Sequence, residues 1–389
     1  MTPDPVAAIA ETTYHRRYVR FGLRPADLAS HLFVIGKTGV GKSSLLELMA
    51  LADLATDRGF ALIDPHGDLA DRVRAAAPPG RRIVHLDPTD PEAPVGYNPL
   101  RRVRDDLIPL AASGLLEAFR KLWPDAWGVR MEHVLRSSLY ALLEQDQATL
   151  PDILRLFSDK VFRRGVAGRL RNPVVRAFWV SEFPAYQPRY QAEMVAPIRN
   201  KLGALLSDPA LYRLLVAPKE DLSFRRLMDE GAVLIVTLAK GRIGEDSAGT
   251  LGSLLVSTLG LAALSRADLP PASRRPFTLY ADEFQTFTTL AFAGQTAELR
   301  KMGVALVLAT QHLEQIQPEV RHAILGNAGS LFAFRVGPED AVALAAEFQP
   351  VFGVEDLINL PNRHFYARLM IDGSPSRPFS ARTLERPEG

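Results

Sequence analysis

The sequence predicts an α/β fold: a mainly parallel sheet, interrupted once by an inserted all-α segment. Three observations lead there. Short apolar runs alternate with helix-length stretches along most of the 389 residues. Several of those runs are continuous rather than alternating, as strands covered on both faces require. One long stretch, about 105–228, carries almost no strand pattern.

The strand-like runs are His31–Ile35, Phe60–Ile63, Arg82–Leu86, Ala232–Leu238, Phe277–Ala281, Val304–Ala309 and Leu331–Val336. Leu45–Asp57, Asp246–Ser265 and Gly294–Lys301 read as helices between them. Inside the insert, Val129–Leu143, Pro151–Phe157 and Ala192–Leu206 read as helices divided by Pro and Gly. Near the end, His364–Ile371, the turn pair Asp372-Gly373 and Arg377–Phe379 read as a closing hairpin. The chain then divides into an N-terminal extension (1–30), a first core part (31–104), the helical insert (105–228) and a second core part (229–389).

Composition sets limits. Hydrophobic residues make up 47% and charged residues 23%, ordinary for a globular protein able to bury a large core. A net charge of +2 gives no global basic field that would announce a nucleic acid. Only 8 of the 46 basic residues are Lys, a bias that genomic base composition or a thermal habitat explains. Residues 101–230 hold 21 basic and 16 acidic residues, a mild excess that a solvated helical surface explains as well as a DNA contact. The absence of cysteine excludes disulfides and Cys metal sites, and fits a reducing cytoplasm. The N-terminus lacks an apolar signal core. The charge-free run Ser247–Ser265 is long enough to span a membrane, but its Ser, Thr and Gly content and its place between two strands favour a buried core helix.

Gly36, Lys37, Thr38, Gly39, Val40, Gly41, Lys42, Ser43 and Ser44 carry the first chemistry. A strand runs into Gly36 and a helical pattern begins at Ser43, the context a phosphate-binding loop needs. Glycines let backbone N–H groups wrap phosphates, and the helix turns its positive end toward them. Lys42 is placed to reach the β- and γ-phosphates of ATP, and Ser43 to ligate Mg²⁺.

The strand Phe277–Ala281 ends in Asp282-Glu283. Asp282 is read as part of the Mg²⁺ shell, and Glu283 as the base that activates water. Val304–Ala309 ends at Thr310-Gln311, where Gln311 would orient water or sense hydrolysis. Arg300 is the candidate for a trans-acting arginine finger, with Arg321 and Arg335 as rivals. Asp64, His66 and Asp68 read as a structured loop beside the nucleotide rather than a metal site. Arg242, in a loop after a strand, is a candidate contact to a DNA backbone.

Several strings together resemble one family: VIGKTGVGKSSLL, ALIDPHGDLA, WGVRMEHVLRSSLYALLE, LYADEFQTF, ALVLATQHL and ILGNAGSLFAFRVGPEDA. They are similar to the HerA–FtsK superfamily of ring-shaped DNA motors, and more closely to TraG/TraD-like coupling ATPases of conjugative DNA transfer and type IV secretion. The resemblance covers about residues 20–385. It implies a RecA-like core, a hexamer with ATP bound between subunits, and DNA in the central channel. It also implies that Lys42 and Ser43 hold phosphate and Mg²⁺, that Asp282 is metal-associated, that Glu283 is catalytic, that Gln311 is the sensor and that Arg300 is the trans arginine. Membrane-bound members carry an N-terminal transmembrane region, for which this sequence offers no segment; the expected place is the cytoplasm, peripheral to the inner membrane through a partner. A relaxase or secretion-channel protein would dock on the helical insert. The leading expectation is an ATP-hydrolysing DNA translocase. A protein-export ATPase and an ATP-switched binding module are the alternatives.

Overall fold

The computed structural model describes residues 7–13, 18–92, 95–123 and 127–385. Its centre is an eleven-stranded sheet. In chain order the strands are β1 (Ala10–Thr12), β2 (Arg20–Phe21), β3 (Leu32–Ile35), β4 (Gly59–Asp64), β5 (Ile83–Leu86), β6 (Val233–Thr237), β7 (Phe277–Ala281), β8 (Val304–Thr310), β9 (Ser330–Ala333), β10 (His364–Arg368) and β11 (Phe379–Thr383). Their spatial order is β2-β1-β11-β10-β9-β3-β8-β7-β4-β6-β5. The seven from β9 to β5 are parallel. The remaining four extend the β9 side antiparallel.

The continuous apolar runs have the predicted cause: both faces of the parallel strands are covered. Alternate side chains point to opposite faces. Leu32, Val34, Phe60, Leu62, Val307 and Ala309 join a core with helices α1 (Lys42–Ala55) and α2 (Asp68–Ala75). Phe33, Ile35, Ala61, Ile63, Leu306 and Leu308 join the other core. That second core contains α3 (Ile108–Leu122), α4 (Val129–Leu143), α5 (Glu245–Ser265) and α6 (Leu290–Lys301). Helices fill 108–215, and their buried side chains, Phe119, Leu139 and Ile198 among them, are contiguous with one sheet face.

The charge-free run is the interior helix α5. Among the described residues, Glu245–Asp268 is the one helix apolar and long enough to cross a membrane, and 72% of its apolar window is buried inside the protein. Gly252 lets it pack closely: a Cβ there would lie 2.7 Å from the Phe287 Cβ.

Four details differ from the sequence reading. The expected all-α segment 105–228 holds a two-residue strand, Glu220–Asp221, paired in parallel with Val95–Gly96, because the chain returns there beside the first core part. Segments within 1–30 enter the sheet as β1 and β2, strands of three and two residues, too short to show a period. The last strand, expected at Arg377–Phe379, runs Phe379–Thr383, because it pairs with both β10 and β1. The segment holding Arg242 is not an open loop but a one-turn helix, Lys240–Ile243, entered through Ala239 at φ 50°.

Candidate nucleotide site

Parallel strands deliver their carboxyl ends to one edge, and that edge is where open α/β sheets build sites. Here β3, β7 and β8 bring Gly36, Asp282 and Gln311 together, with Asp64 at the end of β4. The loop 36–41 is a tight turn. Gly39 and Gly41 take φ of 76° and 115°, the region open to glycine. Gly36 leaves no room for a side chain: a Cβ would lie 2.6 Å from the Phe334 Cβ. Lys37 N–H donates to Arg335 O (2.9 Å), and Arg363 N–H donates to Val40 O (2.7 Å), so strand ends on the β9 side brace the loop.

Lys42 opens α1 and is buried. Its ammonium donates to Gly36 O (2.6 Å) and Lys37 O (3.0 Å), two of its three N–H groups. Burial lowers its pKa, and the nearby Asp282 and Glu283 carboxylates oppose that shift. Ser43 donates through its hydroxyl to Asp282 Oδ2 at 2.7 Å. Asp282 is buried, which raises its pKa against the pull of Ser43 and Lys42. Lys37, Thr38, Gly39 and Ser44 are exposed on the rim.

Glu283 follows at φ 46°, a left-handed conformation that costs roughly 1–2 kcal/mol for a residue with a Cβ. The strain has a visible result, because the carboxylate lies against the end of β8. Gln311 Nε2 donates to Glu283 Oε1, and Gln311 Oε1 accepts from the Thr38 hydroxyl at 2.7 Å. One amide therefore bridges the acid strand and the glycine loop. His66 Nε2 lies 3.4 Å from Glu283 Oε1.

Asp64 is a structural acid. Its carboxylate accepts from His66 N–H (2.9 Å) and Ala70 N–H (3.0 Å), which closes the 64–70 turn. Among the described residues, no three His, Cys, Asp or Glu side chains cluster to hold a metal. What Ser43 and Asp282 offer is one hydroxyl and one carboxylate, hard oxygen donors. That set fits Mg²⁺, which is usually held by few protein oxygens alongside phosphates and water.

Arg300 is not brought to this site. It is exposed in the last turn of α6, and its carbonyl accepts from Gly303 N–H just before β8 begins. The seven residues of β8 separate it from Gln311, roughly 20 Å of strand. Among its rivals, Arg335 donates to Leu360 O and Asn362 Oδ1.

Sequence reasoning missed Lys121, Gln285 and Thr310. Gln285 Oε1 accepts from the Thr310 hydroxyl (3.0 Å), and Lys121 Nζ donates to Gln285 O (2.8 Å) and Thr288 O (2.9 Å). Gln285, two residues beyond Glu283, and Thr310, next to Gln311, had a local signal; Lys121 had none.

A family model described as the type IV secretion-system coupling protein DNA-binding domain matches residues 22–368. The chain belongs to this coupling-protein family. Solved structures share the fold. The conjugative coupling protein TrwBdeltaN70 in its unbound monoclinic form superposes with a TM-score of 0.69 at 18% identity, over 96% of this chain and 88% of that one. TrwB in complex with the non-hydrolysable ATP analogue ADPNP gives 0.65 at 21%, over 93% and 86%. VirB4 of Thermoanaerobacter pseudethanolicus gives 0.65 at 15%, over 99% and 98%. A comparison with curated proteins finds no significant match. The RecA-like α/β core expected of a coupling protein is thus present, with its helices and mostly parallel sheet.

Proposed function

We propose that this coupling protein hydrolyses ATP with Mg²⁺ and uses the energy to move DNA, as a ring of identical subunits. The observation that carries the hydrolytic part is the bridge from Glu283 through Gln311 to Thr38, beside the Ser43–Asp282 pair. A loop that only stored nucleotide would need no carboxylate seated against an amide at the strand ends.

In this reading Gly36 to Ser44 supply backbone N–H groups to the phosphates, and Lys42 adds a positive charge among them. Ser43 and Asp282 hold Mg²⁺, which neutralises charge on the phosphate oxygens when bound. Glu283 accepts the proton of the attacking water. Gln311 holds that carboxylate in place and changes partners when the phosphate leaves. Catalysis is then mostly positioning and charge neutralisation.

The position of Arg300 supports a trans role over a cis one. It is exposed, it makes no side-chain hydrogen bond or ion pair among the described residues, and it lies at the sheet edge opposite its own glycine loop. Residues 105–228 are read as the inserted domain that meets a partner, either a relaxase or a channel protein. Structures of TrwB with ADPNP, with the GTP analogue GDPNP and with ADP and Mg²⁺ support a nucleotide with Mg²⁺ at this site without choosing between ATP and GTP. The type IV secretion-system assignment of the family keeps a protein-export motor as the second reading.

The test pairs two variants. Lys42→Ala should lose nucleotide binding. Glu283→Gln should bind nucleotide and fail to turn it over. A Glu283→Gln protein that hydrolyses at the wild-type rate would remove Glu283 as the base, and a wild type that binds nucleotide without hydrolysing it would leave only the nucleotide-switch reading standing.

A further inference from the structure

Lys121 lies in the last turn of α3, 164 residues before Gln285 in the sequence. Its ammonium is half-buried and donates to two backbone carbonyls, Gln285 O and Thr288 O. No carboxylate within the described residues forms an ion pair with it. Its neighbour Arg120 takes the local acids, Glu117 and Glu132. Burial pushes the Lys121 ammonium down to about 7. A lysine serving only the helix surface would be expected to pair with those acids or reach water.

The loop it grips is the one that follows the catalytic acid. Glu283 leads into a single turn, Phe284–Thr286, whose Phe284 and the following Phe287 are fully buried. Thr288 N–H closes back on Phe284 O at 2.9 Å. On its far side the loop is tied to the sensor strand: the Thr310 hydroxyl donates to Gln285 Oε1, and Gln285 Nε2 donates to Gln315 Oε1. Lys121 thus sits at one end of a path of hydrogen bonds joined by the covalent frame of Gln285. The path runs through the 285–288 backbone to Thr310, next to the Gln311 that holds Glu283.

We propose that Lys121 is a positioning residue for hydrolysis: from the helical segment it clamps Gln285 O and Thr288 O, and so seats Glu283 and Gln311 for turnover. The helical segment is then a lever on the catalytic loop. A partner or polymer that moved α3 by an ångström would move the loop with it. This inference rests on the hydrolytic reading above.

The test uses the full chain and three proteins: wild type, Lys121→Met and Lys121→Arg. Methionine keeps most of the apolar stem and removes the donors. For Lys121→Met, kcat should fall about 10- to 100-fold, the size of loss that misplacement of this order brings. KM, and the affinity for a fluorescent ATP analogue, should stay within about twofold, as expected when ground-state binding is intact. Lys121→Arg, which can donate to both carbonyls, should recover most of the rate. Melting temperatures establish that all three are folded. The proposal is overturned if Lys121→Met turns over within about twofold of wild type, or if rate, affinity and melting temperature fall together and arginine restores none of them. A wild-type rate for Lys121→Met beside an inactive Glu283→Gln would refute the Lys121 role alone. Equal turnover by Glu283→Gln and wild type would remove Glu283 as the base, and a wild type that binds ATP without turning it over would refute the hydrolytic reading itself.

Discussion

Gly252→Ala should distort the 284–288 loop from behind. A Cβ at 252 would stand 2.7 Å from Phe287 Cβ, 2.9 Å from Phe287 Cγ and 3.1 Å from Leu238 Cδ1. Ordinary contacts begin near 3.4 Å, so α5 and the 284–288 loop must separate by roughly 0.7 Å in a close-packed interior. Neither side yields easily, since Phe284 and Phe287 are both fully buried. Overpacking of this kind costs about 1–3 kcal/mol. Replacing a mid-helix glycine returns about 1 kcal/mol. The net is a loss of about 0–2 kcal/mol. Gly249 is the internal control, because it lies in the same helix and its Cβ would meet only Thr286 O, at 3.6 Å. Gly249→Ala should therefore gain up to about 1 kcal/mol. Urea denaturation followed by circular dichroism measures both variants, and steady-state ATPase rate reports the loop. Gly252→Ala should be the less stable of the two by about 1–3 kcal/mol and the slower enzyme. A Gly252→Ala protein as stable and as active as Gly249→Ala would refute this packing of α5 against the loop.

Other expectations follow from single contacts. Gln311→Ala removes the amide that joins Glu283 to Thr38, and should lower kcat about 10- to 100-fold with little change in nucleotide affinity, measured by steady-state kinetics and analogue binding. Ser43→Ala should raise the Mg²⁺ concentration needed for half-maximal rate, read from a Mg²⁺ titration, since Asp282 alone would remain as a protein ligand. His31 is buried with Nε2–H donating to Thr296 O (2.9 Å), while its Nδ1 accepts from Leu306 N–H (3.1 Å), so the native ring must be neutral. Burial lowers its native pKa below the unfolded value near 6.5. The unfolded chain therefore binds the proton first, and stability is lost as pH falls below about 6.5 and on through the native pKa. Denaturation midpoints from pH 7.5 to 5.5 should drop more steeply for wild type than for His31→Asn, which keeps a residue tolerant of the φ of 66°. Equal slopes would remove His31 as a cause.

How legible each part was depended on how local its signal is. Lys42 and Ser43 stand in a motif whose spacing is its own evidence, and Asp282-Glu283 follows a mostly apolar strand that is buried throughout. Parallel strands then bring them together without further instruction, which is why the Ser43–Asp282 contact spans 239 residues yet was foreseeable. The Thr38–Gln311 contact follows from the same logic, although its details required the left-handed turn at Glu283. Lys121 left no trace, because a single lysine on an amphipathic helix looks like any surface lysine until the helix is docked. The Gly252 contact is equally silent in sequence: it is decided by Phe287, 35 residues away on another element. β1 and β2 escaped notice because three and two residues cannot display a period of two. Arg300 was chosen by spacing, and spacing carries no information about a second subunit.

The central claim is that ATP turnover here is coupled to DNA. The most direct measurement is the steady-state ATPase rate of the assembled protein with Mg²⁺, without DNA and with single- or double-stranded DNA, beside Lys42→Ala. The account predicts turnover that rises severalfold with at least one form of DNA, a rise that weakens as salt increases, and no turnover from Lys42→Ala. A wild-type rate indifferent to both forms of DNA in an assembled ring would contradict it, and would turn attention to a protein cargo.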